Sequence, residues 1–265
     1  RYVMISNHQL YLDWLYMWSL VSHIGLAGGI RYILKRTLMF LPVLGLGMKL
    51  MDFIFVSRNW EVDRVKLPRR VKRLRYRDFP FALCIFPEGT TLSKDTFASM
   101  KVHAKEKNIS EDQIPTRCLI PRVNGIHTVL NGLKEDCDGV LDITTYFKGA
   151  DFDKEDPEVT FGIKKLLFEG IAPLDIHFYV KFYPLADIPY ENRDELSVWL
   201  KQRFLEKSTR LEEITEKGRF ANVKYQWGDS PISHDPFSSA LLSAAVATIV
   251  MCACYVVINA IMSIK

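Results

Sequence analysis

Phe81-Ala82-Leu83-Cys84-Ile85-Phe86 is an unbroken apolar run, and Pro87-Glu88-Gly89-Thr90-Thr91 follows it directly. A short continuous run of this kind suits a strand buried on both faces, the pattern of a parallel sheet covered by helices. Pro87 ends the ladder and Gly89 permits a tight turn. Ligands of open α/β sheets bind beyond the carboxyl ends of the strands. Glu88 and two hydroxyls are therefore expected at the sheet edge, where a ligand would be met. The plainer reading of the same residues is an ordinary strand-to-helix turn.

Outward from this stretch, strands and helices alternate. Ser93 is placed to cap a helix through "KDTFASMKVHAKEK". "RCLIP" (117–121) reads as a second buried strand, with Arg122 just past its end. "GIHTVLNGLKE" reads as a helix and "GVLDITTYF" (139–147) as a third strand. From Leu174 to Phe182, "LDIHFYVKF" alternates, with Leu174, Ile176, Phe178, Val180 and Phe182 facing one way, as in a half-exposed strand near an edge. An amphipathic helix is expected from Arg193 to Lys217, with Leu196, Trp199, Leu200, Leu211 and Ile214 inward and Gly218 as its stop. On the other side, "RYVMIS" opens the chain as a strand-like run, and "DFIFVS" (52–57) is followed by Arg58. Arg58 and Arg122 are thus strand-end cations; a surface ion pair is the plain alternative for Arg122. The alternation implies an α/β layered domain.

"SNHQLYLDW" (6–14) sets His8 and Asp13 in an otherwise apolar or aromatic stretch. One reading is a capped helix start, with Ser6 or Asn7 as N-cap and Leu10, Trp14 and Met17 on one face. The other is a His-Asp acid/base pair. Five steps on a regular helix set two side chains roughly 140° apart, so the pair requires irregular backbone between them, such as a loop running into a helix.

Charge and apolar runs bear on partners. A net charge of +4 is too small to imply nucleic-acid binding. From Arg64 through "PRRVKRLRYR" to Arg77 there are eight Lys or Arg and no acid, either a solvated helix face or a patch for anionic head groups or phosphates. Phe237 to Ile264 carries no charge and exceeds the ~20 residues needed to cross a bilayer as a helix. The 38–56 region is also apolar, but Lys49, Asp52 and the Pro42/Gly45/Gly47 cluster argue against a plain span. It reads as a membrane-dipping helix pair or as a core helix leading into "DFIFVS". The five cysteines form neither zinc spacing nor a disulfide framework, and a reducing compartment fits the main domain best. The chain begins at Arg1 inside a strand-like run without the form of a signal peptide, so residues upstream of it are expected.

Four of these stretches, in order, resemble the motifs of the glycerolipid acyltransferase family, which includes the 1-acylglycerol-phosphate acyltransferases. Asn7, His8 and Asp13 resemble its first motif, "FIFVSR" ending at Arg58 its second, Phe86 to Thr90 its third, and "LIP" (119–121) its fourth. "SRNWEVDR", "PRVNG" and "LDITTY" look most like the eukaryotic branch that acylates lysophosphatidylinositol, lysocardiolipin and related lysophospholipids. The resemblance implies an acyltransferase-type mixed sheet flanked by helices over residues 1–230, with membrane-associated helices; the uncharged run at 237–264 is expected to be a transmembrane or hairpin segment. The resemblance also implies transfer of an acyl chain from acyl-CoA, as co-substrate, to a lysophospholipid at a bilayer, with no separate cofactor and no metal. His8 would be the general base and Asp13 its orienting partner. Asn7, Arg58, Glu88, Gly89, Thr90 and Arg122 would bind substrate. The expected location is the endoplasmic reticulum membrane, with a mitochondrial membrane as alternative.

Two positions depart from the family pattern. Thr91 stands where the third motif usually has Arg, and Asp52 or Phe53 where the second usually opens with Gly. Loss of a planar two-point phosphate partner favours a diester acceptor over lysophosphatidic acid, although Arg58, Arg122 or Lys101 is available as a substitute cation. A catalytically silent lipid-binding member of the fold and a lipid hydrolase are the rival readings.

Overall fold

In the computed structural model, which describes residues 1–75 and 79–220, the apolar runs come together as one six-stranded sheet. The strands are β1 (Tyr2–Ser6), β2 (Ile30–Lys35), β3 (Ile54–Val56), β4 (Ala82–Ile85), β5 (Gly139–Phe147) and β6 (Ile176–Pro184). Their order is β3-β2-β4-β1-β5-β6; the first five are parallel and β6 runs antiparallel to β5. β1 is central, with Met4 beside Cys84 on one side and Leu141 on the other.

Burial on both faces explains the continuous apolar runs. Val3, Ile5, Leu83, Ile85 and Val140 pack on one side, against α3 (Trp60–Arg75), α5 (Val123–Leu133) and α7 (Arg193–Lys217). Met4, Ala82, Cys84 and Ile143 pack on the other, with α1 (Asp13–His23) and α2 (Leu44–Leu50). The period of two along each strand feeds both cores. The remaining helices are α4 (Lys94–Glu106), opened by a reciprocal Ser93–Thr96 capping box, and α6 (Pro157–Phe161). The helix expected at 193–217 spans those residues, with Gly218 in the left-handed conformation as its C-cap.

Three expectations change. Residues 117–121 form no strand: Arg117 N–H donates to Ser208 Oγ, Leu119 N–H to Glu88 Oε2 and Ile120 N–H to Met100 Sδ, so the donors a ladder would use are spent on side chains. The first helix begins at Asp13, without a side-chain cap, rather than at Ser6 or Asn7. β6 is an edge strand as expected, but its apolar stripe is packed only in part, with Phe178 against the core around Met4 and Ile143 and Phe182 edge-on to the Tyr2 ring. Leu174 lies outside the strand and Val180 and Phe182 are exposed, while Tyr183 and Tyr179 pack against Trp199 and Arg210 of α7.

The basic run is largely a solvated face of α3, whose Leu67, Val71 and Leu74 point inward; Arg64 pairs with Glu61, and Arg75 with Glu135 and Asp136. In the 38–56 region, a single turn of 3-10 helix and the short α2 precede β3, and most of their large apolar residues are exposed. Among the described residues no helix is long and apolar enough to cross a membrane, and the 237–264 segment lies outside them.

Candidate active site

Five parallel strands put five carboxyl ends on one edge of the sheet, and the candidate residues arrive there from separate strands. β1 leads into His8, β3 into Arg58, and β4 into the Pro87–Gly89 turn. Arg122 joins them because its backbone N–H donates to Pro87 O at 2.8 Å.

Residues 7–12 are a loop, so the condition set by the His8–Asp13 spacing is met. His8 Nδ1 and Asp13 Oδ2 lie 2.8 Å apart. Asp13 is buried, and its carboxylate also accepts from Gln9 N–H at 2.8 Å and Leu10 N–H at 3.1 Å. Both backbone partners of the Asp13 carboxylate are donors, so the carboxylate acts as acceptor and the matching His8 tautomer carries its proton on Nδ1. Nε2, the opposite ring nitrogen, then has its lone pair free and no protein partner among the described residues. The imidazole stacks on Phe86, with centroids 4.3 Å apart and planes 23° apart. Its side chain is 13% exposed, enough to meet a substrate from one side.

Two of the expected substrate-binding residues are buried and hydrogen-bonded to backbone. Asn7 is buried, donating to Thr145 O at 2.9 Å and accepting from Thr145 N–H at 2.8 Å, so its amide continues the pairing of β1 with β5. Glu88 is not presented outward: its carboxyl is buried, with Oε1 accepting from His8 N–H at 2.8 Å and Oε2 from Leu119 N–H at 2.9 Å. It clasps the His8 loop to the 117–121 segment. Burial pushes its pKa up to about 8, against the two N–H donors that favour the charge.

Gly89 adopts φ +74, and a Cβ there would meet the Arg122 side chain at 3.6 Å, so the turn needs glycine for its backbone and the arginine lies across it. Arg58 and Arg122 come together above this turn. Arg58 is exposed as a residue, yet partial desolvation of its guanidinium lowers its pKa and the neighbouring Arg122 lowers it further. Neither arginine has an acidic partner among the described residues. Arg58 also holds φ +62, an uncommon conformation for a residue with a Cβ. Two guanidiniums without a carboxylate make a site for an anionic oxygen cluster such as phosphate.

Thr90 is partly exposed beside them, whereas Thr91 is buried and its carbonyl accepts from Thr96 Oγ1 at 3.0 Å. Lys101 instead lies over the Phe97 ring, 4.8 Å from its centroid. Asp52, one of the two positions where the family pattern is expected to open with glycine, sits at φ +58, a left-handed conformation that aspartate tolerates better than most residues.

Glu158 escaped the sequence reading. It accepts from Tyr11 N–H at 2.8 Å, and burial raises its pKa, with Asp13 adding to the rise and His8 opposing it. It therefore ties the β5–β6 connection to the loop that carries the His-Asp pair. No motif marks it; its only local signal is Pro157 opening a short helix.

Comparison with known proteins places the chain among acyltransferases. Residues 1–120 match the family model described as acyltransferase, and residues 166–242 the one described as acyltransferase C-terminus. An uncharacterised acyltransferase of Schizosaccharomyces pombe is 34% identical over 84% of this chain and 63% of its own. A 2-acyl-1-lysophosphatidylinositol acyltransferase of Saccharomyces cerevisiae is 29% identical over 83% of this chain and 63% of its own. Lysocardiolipin acyltransferase 1 of Gallus gallus is 30% identical over 83% and 56%. The chain thus spans less than two thirds of the length of each. No solved structure matches it.

Proposed function

The chain belongs to the glycerolipid acyltransferase family, in its eukaryotic branch, and we propose that it moves a fatty acyl chain from acyl-CoA to the free hydroxyl of a lysophospholipid. The observation that carries this reading is the His8–Asp13 contact of 2.8 Å, made across a loop rather than along a helix, with Nε2 left unpartnered. An alcohol with a pKa far above 7 needs a base at the moment of attack. Nε2 takes its proton as the oxygen bonds to the thioester carbonyl, and Asp13 stabilises the imidazolium. The tetrahedral intermediate then collapses, the C–S bond breaks, and the thiolate leaves and takes up a proton. General-base catalysis contributes about 10²–10⁴-fold; positioning and oxyanion stabilisation supply the rest.

Arg58 and Arg122 hold the acceptor phosphate. With a buried threonine at position 91 in place of an arginine, a phosphodiester such as lysophosphatidylinositol is favoured over lysophosphatidic acid, which carries about −1.5 to −2 charge by analogy with other monoesters. The 237–264 segment anchors the protein in the endoplasmic reticulum membrane.

The test is purified full-length protein in detergent with labelled acyl-CoA and a panel of lysophospholipids, for wild type, His8→Ala and Thr91→Arg. Acyl transfer that disappears in His8→Ala supports the reading. Release of free fatty acid alone supports a hydrolase, and binding without turnover a silent member of the fold. A wild-type preference for lysophosphatidic acid, unchanged in Thr91→Arg, removes position 91 from head-group choice.

A further inference from the structure

The connections on either side of the His8 loop each expose a cluster of large apolar side chains, within 40–50 on one and 163–174 on the other. β2 ends at Lys35, so the 36–50 connection leaves from the carboxyl edge of the sheet. β5 is parallel to β1 and β6 returns antiparallel, so the 148–175 connection lies on that same edge. In the sheet, β4 and β1 lie between β2 and β5; the two connections therefore flank the strand ends that carry Glu88 and His8.

Leu50 is 77% exposed on one connection, and Phe168 and Leu174 are 83% and 97% exposed on the other, with Phe40, Leu46 and Tyr11 also open to solvent. Side chains of this size rarely gather at the surface without a partner. Cations accompany them. Lys35, Arg36 and Lys49 are exposed and no acid lies between 35 and 50; in the second cluster Lys164 is exposed, and Lys165 pairs with Glu169 at 2.7 Å. Apolar side chains interleaved with Lys and Arg are the composition of a surface that enters the head-group layer of an anionic bilayer. Glu158, bonded to Tyr11 N–H, ties the second connection to the loop that carries His8.

We infer that the 36–50 and 163–174 segments form a two-point lipid-docking collar that seats on one bilayer surface and holds the His8 Nε2 at the mouth between them. This deepens the acyl-transfer reading and rests on it for the partner, but its test needs no turnover. Full-length protein with Cys252→Ser and Cys254→Ser receives an environment-sensitive fluorophore at Leu46→Cys, Leu174→Cys or Val102→Cys. Val102 is exposed on α4, and the remaining cysteines are buried. Phosphatidylcholine vesicles, with and without phosphatidylserine, are then added. The expected result is a blue shift at positions 46 and 174, larger with phosphatidylserine, and none at 102. An aqueous spectrum at 174 while 46 shifts, no shift at either, or an equal shift at all three overturns the collar; the second outcome leaves protein partners and self-association as occupants.

A second measurement separates this inference from the chemistry. Phe168→Glu with Leu174→Glu should lower transfer to acceptors presented in vesicles roughly tenfold and leave transfer to a dispersed short-chain acceptor unchanged. Equal loss on both acceptors overturns the collar. If wild type transfers to neither acceptor, the acyl-transfer reading fails while the fluorophore result still stands.

Discussion

Arg58 and Arg75 lie at opposite edges of the same sheet, and their surroundings move their pKa values in opposite directions. Arg75 ends α3 at the amino edge, where its hydrogen bonds to Asp136 and Glu135 raise its pKa. Arg58 follows β3 at the carboxyl edge, where desolvation and the neighbouring Arg122 lower it. At one edge every arginine named is matched by acids, Arg1 with Asp136 at 3.0 Å among them. At the other, Arg58 and Arg122 are neighbours with no acidic partner among the described residues. Like charges held close are unfavourable unless a third group neutralises them. The amino edge is matched within itself, and the proposed role of the carboxyl edge is to meet an anion that arrives with a substrate.

The largest break in this comparison comes from the base beside the arginines. His8→Ala should lower kcat/KM by about 10²–10⁴-fold with the circular dichroism spectrum unchanged, since the imidazole stacks on Phe86 without filling the core. Asp13→Asn should be nearly as severe for activity. It should also lower the melting temperature, because the two backbone N–H donors of Gln9 and Leu10 lose a carboxylate. A variant at position 8 keeping more than about a tenth of wild-type activity contradicts a general base of the expected size.

Next in size are the arginines. Arg58→Gln and Arg122→Gln should each lower kcat/KM for the acceptor about ten- to a hundredfold, from the loss of one charged hydrogen bond worth roughly 1.5–3 kcal/mol. Thermal stability should hold or rise, since removing one guanidinium relieves the other. A lower melting temperature with unchanged kinetics would mean that the pair is structural and that the two edges do not differ in kind.

How far these roles were legible follows from the kind of information each needs. β4, β5 and α7 could be read because apolar periodicity and a terminal glycine act locally. The His8–Asp13 pair was legible as a condition, a loop running into a helix, which the first helix meets by starting at Asp13. What stayed hidden depends on contacts across the chain. Asn7 and Glu88 have the residue types of a binding site, but their partners, Thr145 and Leu119, come from other elements and turn both side chains inward. "RCLIP" has strand composition, yet its backbone donors meet Ser208, Met100 and Glu88 first. The meeting of Arg58 with Arg122, distant in sequence, becomes visible only once the strand order is known.

Glu88 offers an intermediate effect with a definite sign. Its pKa is raised from the ordinary carboxylate value to about 8, so the folded state binds the proton more tightly than the unfolded chain. Stability from this group is therefore full below the unfolded pKa, near 4.5, falls as pH rises toward 8, and levels off above that. Glu158, also raised, adds a slope of the same sign. Glu88→Gln should remove most of the slope and cost about 1–3 kcal/mol throughout, because the amide nitrogen cannot accept from the N–H it faces. Denaturant melts at several pH values between 4.5 and 8.5 provide the check; an unchanged slope in the variant assigns the dependence to other groups.

The smallest expected effect is the control that gives the comparison its meaning. Arg75 has the same guanidinium as Arg58 and touches two carboxylates, Glu135 and Asp136. By contact count it is the better-connected residue, and a reading based on ion pairs alone would rank it higher. But its partners are exposed or partly exposed, and such pairs are weakened by solvent and by salt. It also lies across the sheet from His8. Arg75→Gln should leave kcat/KM within about twofold of wild type and lower thermal stability only slightly, by less at high salt than at low. Matched assays of Arg75→Gln and Arg58→Gln decide the matter. If the paired arginine costs as much activity as the unpaired one, the absence of an acidic partner does not mark a ligand site in this fold, and the assignment of the acceptor phosphate to Arg58 and Arg122 loses its main support.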